Sequence, residues 1–213
     1  MIAKFNNRIN AQMIVVMNSE ASKYYANYTK KSWESFGIKV NFFDAVTPEK
    51  LSKIKEISFS KYSASSKYTS RKIKKIITDT EKACWYSHYL LWEKCYFSKK
   101  PLLILEHDSL LINPENLWFD DSYGIIFSDA AAMGSYIITP KFAEELLISA
   151  RTSNISLGPY GFISKFDNVV NSSHKKFKIA SDQVMSKKYG NTVDHYEGLN
   201  PNEFIHHKFI IID

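Results

Sequence analysis

Only two of the 213 residues are cysteine, which excludes a disulfide framework. Cys84 and Cys95 fall in a segment that reads as one helix. At ~1.5 Å per residue their backbones stand roughly 16 Å apart, beyond disulfide reach. Reduced thiols point to a cytoplasmic protein. Long apolar runs are missing as well: none approaches the roughly 20 residues that a membrane-spanning helix needs. The opening residues, MIAKFNNRINAQ, hold no apolar stretch of the kind a secretion signal carries. There is no internal repeat and no low-complexity linker, and the length reads as one domain, or one domain with an appendage.

Acidic residues are in deficit. Lysine and arginine number 28 against 22 aspartates and glutamates, a formal net charge of +6. The excess is concentrated in one stretch, where Lys61, Lys67, Arg71, Lys72, Lys74, Lys75 and Lys82 face only Asp79 and Glu81. Such a patch favours a polyanion (DNA, RNA, an anionic lipid surface or a phosphorylated glycan), although a solvated helix face has the same composition. What the chain does have is apolar material. It is 45% hydrophobic and 15% aromatic, ample for a sizeable core.

The stretch that organises this material is 101–108, PLLILEHD. Residues 102–105 form a short, wholly apolar run that suits a strand buried on both faces of a mostly parallel sheet. In open α/β sheets, ligands bind beyond the carboxyl ends of such strands. Glu106 and Asp108 lie two apart, so in an extended segment their carboxylates point the same way. That pair suits a hard divalent ion shared with substrate phosphates; a solvated turn at a strand end uses the same residues.

The remaining segments are consistent with an α/β sheet. Residues 13–17 (MIVVM) read as a first strand, and Asn18 or Ser19 caps a helix that Gly37 stops. Residues 39–43 read as the second strand, ending at Asp44, and Thr47-Pro48 opens a short helix. Residues 57–70, rich in Ser, Tyr and Lys, read as a mobile loop, with helix from about residue 70. Residues 80–96 place Ala83, Cys84, Ser87, His88, Leu91, Trp92 and Cys95 along one stripe. Strands follow at 124–127 and 135–139, and Pro140 starts a helix to about residue 151. The stretch 153–171, with Gly158-Pro159 and Gly161, reads as a loop able to close over a ligand. A short apolar piece at 177–180 delivers Ser181-Asp182 and a helix, and the tail from residue 190 shows little regular pattern.

Laid out in this order, the chain resembles glycosyltransferase family 25, the sugar transferases of bacterial lipooligosaccharide synthesis and collagen galactosylation. Four pieces carry the likeness across 13–189. VVMNSEASKYYANYTKKSWESFGIKVNFFDAV is similar to the family's opening strand, helix and second strand. Residues 81–88, EKACWYSH, match its E-x-x-C-x-x-S-H helix, and LLILEHD resembles its acidic strand end. GSYIITPKFAEELL resembles a later segment patterned on Gly, Tyr and Ala. The chain is short for the family, His107 stands where an acid is usual, and Asn18-Ser19-Glu20 replaces an arginine-rich continuation.

The resemblance implies a single-domain GT-A fold, Rossmann-like, with a mostly parallel central sheet flanked by helices. It implies a nucleotide-binding half at 12–60, a basic loop and helix at 61–100, a metal and acceptor half at 101–190 and a tail at 191–213. It further implies a nucleotide-sugar donor (a UDP-sugar), a divalent ion (manganese or magnesium) and inversion at the anomeric carbon. Asp108 and Glu106 are the candidate metal ligands, with tail histidine His195 (or His206 or His207) completing the set. Asp182 is the candidate base, with Asp129 second; Ser181-Asp182 would equally cap a helix. Met17, Asn18 and Asp44 end the first two strands, where a nucleotide would sit. His88 faces the sheet, as either a donor-site group or a satisfied core histidine. Trp85, Tyr86 and Trp92 read as core.

Two acceptors fit. One is a lipid-linked glycan, as in lipooligosaccharide synthesis. The other, favoured by the basic patch, is a hydroxymethylated base in bacteriophage DNA, flipped out of the duplex while Lys67, Arg71, Lys72, Lys74 and Lys75 hold the phosphates. A non-catalytic polyanion-binding module on a transferase fold is the alternative from outside enzymology.

Overall fold

In the computed structural model of the protein, the residues described are 9–51, 54, 57–63, 76–111, 125–127, 135–163, 165–166, 169–171, 174–178 and 193–195. The fold begins with β1 (Asn10–Val15), α1 (Glu20–Ser35) and β2 (Val40–Asp44). Ser19 ends β1's outgoing turn and caps α1, its hydroxyl accepting from the Ser22 N–H at 3.2 Å. The helix stops where Gly37 takes a φ of 78° and donates to the Glu34 carbonyl at 2.8 Å, a left-handed turn that suits glycine. β1 and β2 are parallel, as a strand–helix–strand unit requires.

Next come α2 (Pro48–Leu51), β3 (Ser58–Phe59) and the long α3 (Asp79–Ser98). Residues 57–62 are not the mobile loop expected. Ile57 donates its N–H to the Tyr86 hydroxyl at 3.0 Å, Ser60 donates to Ile155 O at 2.8 Å, and Phe59 packs edge-on against Trp85. Of the stretch expected to be helical from about residue 70, residues 70–75 lie outside the described residues, and residues 76–78 are not helical: Ile76 bridges antiparallel to Tyr62 and Thr78 is extended. The start of α3 is set by a capping box, in which Thr78 accepts from the Glu81 N–H and the Glu81 carboxylate accepts from the Thr78 N–H.

The second half supplies β4 (Leu102–Glu106), β5 (Ser109–Leu111), β6 (Ile125–Phe127), β7 (Ser135–Ile138) and α4 (Pro140–Thr152). It continues with β8 (Asn154–Ile155), α5 (Pro159–Ile163), β9 (Val169–Asn171), β10 (His174–Lys178) and β11 (Val193–His195). The stretch read as a closing loop is thus partly ordered: β8 pairs with β3, and Pro159 opens the short α5. The tail, read as patternless, contributes β11, which pairs antiparallel with β5.

The main sheet has the order β10-β9-β6-β7-β4-β1-β2. β2, β1, β4, β6 and β9 run one way, and β7 and β10 run against them. The expected α/β architecture with mostly parallel strands is therefore present, as a mixed sheet. β4 lies between β1 and β7 and is buried on both faces. Its period-2 alternation splits the core. Leu103 and Leu105 join Met13, Val15 and Trp33 on the α1 face, while Leu102 and Ile104 join α3, α4 and Tyr136 on the other. α3 is covered by sheet on one side and by α4 and α5 on another, so Trp85, Tyr86, Tyr89 and Trp92 are buried along with its expected stripe, except Cys84, which is exposed. The aromatic residues read as core are core.

Candidate active site

The chemistry collects where three parallel strands end together. Ile14 of β1 is in register with Glu106 of β4, and Val15 with Asp44 of β2. Beyond these ends opens a cleft of about 280 Å³, walled by Ile14, Val16, residues 45–48, the first turns of α3, Glu106 and His107. This is the place where an open α/β sheet takes its ligand.

Alternation sends Glu106 to the α3 side, the same side as Ile104. There its Oε1 accepts from the Tyr160 hydroxyl at 2.7 Å and lies 3.8 Å from His88 Nε2. His88 is wholly buried, its Nδ1 2.8 Å from the Tyr136 hydroxyl, which also accepts from Trp92 Nε1 at 2.8 Å. A buried polar string therefore runs Trp92–Tyr136–His88 and arrives at the carboxylate that lines the cleft. Burial, with the Glu106 charge adding to it, holds the hydroxyls of Tyr136 and Tyr160 well above the usual tyrosine range, so both remain protonated.

Ser87, next to His88, serves the opposite wall. Its Oγ accepts from the Val46 N–H at 2.9 Å and donates to Ala83 O at 3.0 Å, which fixes the loop after β2. Cys84 presents surface to the cleft, yet desolvation by the protein around it, with the charges of Glu106 and Glu81, pushes its thiol up to about 12. It is not a nucleophile at neutral pH.

The acidic pair differs from the expected geometry in one respect. β4 ends at Glu106, and residues 107–108 form a turn, so Glu106 and Asp108 are not successive same-side positions of one strand. His107 lies against Tyr25 of α1, ring centroids 6.1 Å apart. Asp108 is 4% exposed. The turn is pinned by α1, where Trp33 Nε1 donates to Ser109 O at 2.7 Å and Ser32 Oγ accepts from the Leu111 N–H at 3.0 Å. On the other edge of β5, the register sets His195 opposite Ser109. The backbone carrying His195 thus returns beside the residue after Asp108.

The other expected residues scatter. Met17 and Asn18 are exposed in the turn after β1. Asp44 is paired with Lys50 at 2.8 Å near the cleft's edge. Asp129, Asp182, His206, His207, Lys67, Arg71, Lys72, Lys74 and Lys75 lie outside the described residues. Among the described residues no group of three or more His, Cys, Asp and Glu side chains is arranged to hold a metal. Tyr160 and Tyr136 were missed by sequence reasoning. Tyr136 lies inside GSYIITPKFAEELL, where it reads only as part of a pattern; Tyr160 sits in a stretch with no period, and only the contact across 54 residues reveals it.

The comparisons with known proteins bear on this arrangement. The family model described as glycosyltransferase family 25 (LPS biosynthesis protein) matches residues 11–122, just over half of the chain, from the second residue of β1 to beyond Asp108. The chain belongs to glycosyltransferase family 25. It is 27% identical over 103 residues to the lipooligosaccharide biosynthesis protein lic2B of Haemophilus influenzae. That match takes in 45% of this chain and spans 35% of the relative's length. Among solved structures, similarity extends to a glycosyltransferase involved in glycosylation of the major capsid of PBCV-1. There the TM-score is 0.48 at 10% identity, covering 94% of this chain and 98% of that one. A Drosophila β-1,4-galactosyltransferase 7 in complex with manganese, UDP-Gal and xylobiose gives a TM-score of 0.46 at 8% identity, over 95% and 74%. Among the described residues, no helix is long and apolar enough to cross a membrane.

Proposed function

We propose that the chain transfers a sugar from a nucleoside diphosphate donor, a UDP-sugar, to an acceptor hydroxyl, with inversion and with a divalent cation, manganese or magnesium. The observation that supports this reading is the cleft at the ends of β1, β2 and β4, with Glu106 on its wall. The cleft is apolar along Ile14, Val16, Val46 and Pro48, as a nucleoside requires, and its described lining holds no lysine or arginine. A diphosphate seated there meets a carboxylate and two imidazoles, so its charge needs a cation.

The donor set suits a hard ion, since one or two carboxylates suffice when substrate phosphates supply other ligands. Glu106 and Asp108 would hold it, with His195 as a third ligand from the strand paired beside Ser109. When bound, such an ion supplies charge neutralisation to the diphosphate. Everything else falls to the chain. The acceptor oxygen forms a bond to the anomeric carbon as the bond to the diphosphate oxygen breaks. The electron pair leaves with the nucleoside diphosphate, and the acceptor's proton goes to a base, Asp182 or, second, Asp129. Val46 and residues 47–48, held by Ser87, wall the nucleoside, while Met17, Asn18 and Asp44 flank it.

On the acceptor side, the lysines of 61–75 support a polyanion, with DNA ahead of a lipid-linked glycan. Duplex binding whose affinity falls steeply with salt supports DNA; transfer to lipooligosaccharide with no duplex binding rejects it. For the donor, the test is thermal denaturation with manganese across a set of nucleotide sugars. A bound donor at about 100 times its Kd stabilises by about 2.7 kcal/mol, which at this size raises Tm by roughly 5–10 °C. Glu106→Gln is expected to diminish the shift. No shift with any donor refutes the reading.

A further inference from the structure

Glu106 is the described carboxylate on the cleft wall, and a carboxylate at the end of a strand swings freely unless something holds it. Two elements far apart in sequence reach it. From α5, the Tyr160 hydroxyl donates to Oε1 at 2.7 Å. From α3, His88 Nε2 lies 3.8 Å from the same oxygen, too long for a hydrogen bond but close enough to confine it. His88 is itself oriented by Tyr136, and the Tyr136 hydroxyl by Trp92. The three rings that meet here also pack: His88 and Tyr136 stack with centroids 5.8 Å apart, and Tyr160 stands edge-on to both at 5.4 and 5.9 Å. Tyr160 therefore cannot tilt without disturbing two buried neighbours, and its hydroxyl is delivered to one place.

We propose that Tyr160 is a positioning residue for donor binding: its hydroxyl fixes the Glu106 carboxylate in the orientation that receives the cation and diphosphate of the donor. This deepens the reading of the cleft as a nucleotide-sugar site and rests on it. Tyr160 acts through Glu106 and not on the substrate. The bond is charge-assisted, a donor hydroxyl on a carboxylate, and such bonds are the stronger and more directional ones. Without it the carboxylate samples other rotamers, and a ligand must order it at the moment of binding.

The test is a double-mutant cycle read by binding. Tyr160→Phe removes one oxygen and keeps the ring among His88 and Tyr136. Wild type, Tyr160→Phe, Glu106→Gln and the double variant are each titrated with UDP in the presence of Mn²⁺ by calorimetry. Free Mn²⁺ is followed by its electron paramagnetic resonance signal, and ligand-free thermal midpoints are recorded alongside. Tyr160→Phe is expected to weaken Mn²⁺-dependent UDP binding about 10-fold, and to add nothing in the Glu106→Gln background. Equal loss in both backgrounds overturns the positioning role, because a purely structural effect of the hydroxyl persists when the carboxylate is gone. Unchanged binding in Tyr160→Phe overturns it too. Failure of the wild type to bind UDP or any nucleotide sugar with Mn²⁺ refutes the reading of the cleft, and this inference with it.

Discussion

Removing a single buried oxygen, in Tyr136→Phe, tests the polar string most directly. Tyr136 is 0% exposed. Its hydroxyl accepts from Trp92 Nε1 and pairs with His88 Nδ1, both at 2.8 Å. The phenylalanine variant leaves no appreciable cavity, so the cost lies in two polar groups stranded in the core. Each stranded group costs about 1–3 kcal/mol. The variant recovers part of this because the tyrosine hydroxyl no longer has to be desolvated. A net loss of about 3 kcal/mol is therefore expected, a large fraction of the roughly 5–15 kcal/mol a domain possesses. At about 2–4 °C per kcal/mol for a chain of this size, Tm falls by roughly 6–12 °C. Urea and thermal denaturation followed by circular dichroism measure it. Trp92→Phe, made alone and together with Tyr136→Phe, supplies the control: the double variant should cost about 1 kcal/mol less than the sum, because the stranded indole is gone. A fall in Tm under about 3 °C, or strict additivity, refutes the account of these groups as one network.

Two further outcomes follow from named contacts. Ser87→Ala deprives the buried Val46 N–H of its partner; stability falls by about 1–2 kcal/mol, and donor KM rises more than kcat falls, which steady-state kinetics separates. Cys95, fully buried beside Lys100 O and Ile138 O, has its thiol pushed by desolvation from 9.0 up to about 12. Above pH 9 the unfolded chain therefore releases this proton before the folded one does. The stability it contributes is complete below pH 9 and drains away between pH 9 and about 12. Urea midpoints at pH 8, 9.5 and 11 show the decline, and Cys95→Ala makes it shallower, with Cys84, Tyr136 and Tyr160 carrying the remainder.

What the sequence could disclose was decided by range. The buried strand 102–106 was legible because four consecutive apolar residues ending in an acid leave a local trace. The caps at Ser19 and Gly37, and the proline starts at Pro48 and Pro140, were legible for the same reason. The direction of β7 was not: SYII reads the same whichever way it pairs, and only its register against β4 makes it antiparallel. The burial of α3 on a second face also escaped a one-stripe reading, since α4 and α5 cover a face that periodicity assigns to solvent. Asp108 was expected to share a side with Glu106; that assumed the strand continued, and the turn at 107–108, pinned by Trp33 across 76 residues, ends it. Tyr160 reaches Glu106 across 54 residues, with no sign in its own neighbourhood.

Consecutive residues of α3 serve opposite sides of the cleft. Ser87 clasps the loop after β2, and His88, with Trp92 one turn on, serves the string that leads to Glu106 across β4 and β7. The helix is thus a shared spindle: rotating or sliding it to suit a new ligand on one flank would unseat the other. Variation that retunes ligand preference without collapse is consequently channelled to positions such as Ile14 and Val16, which border the same space but lie outside that gearing.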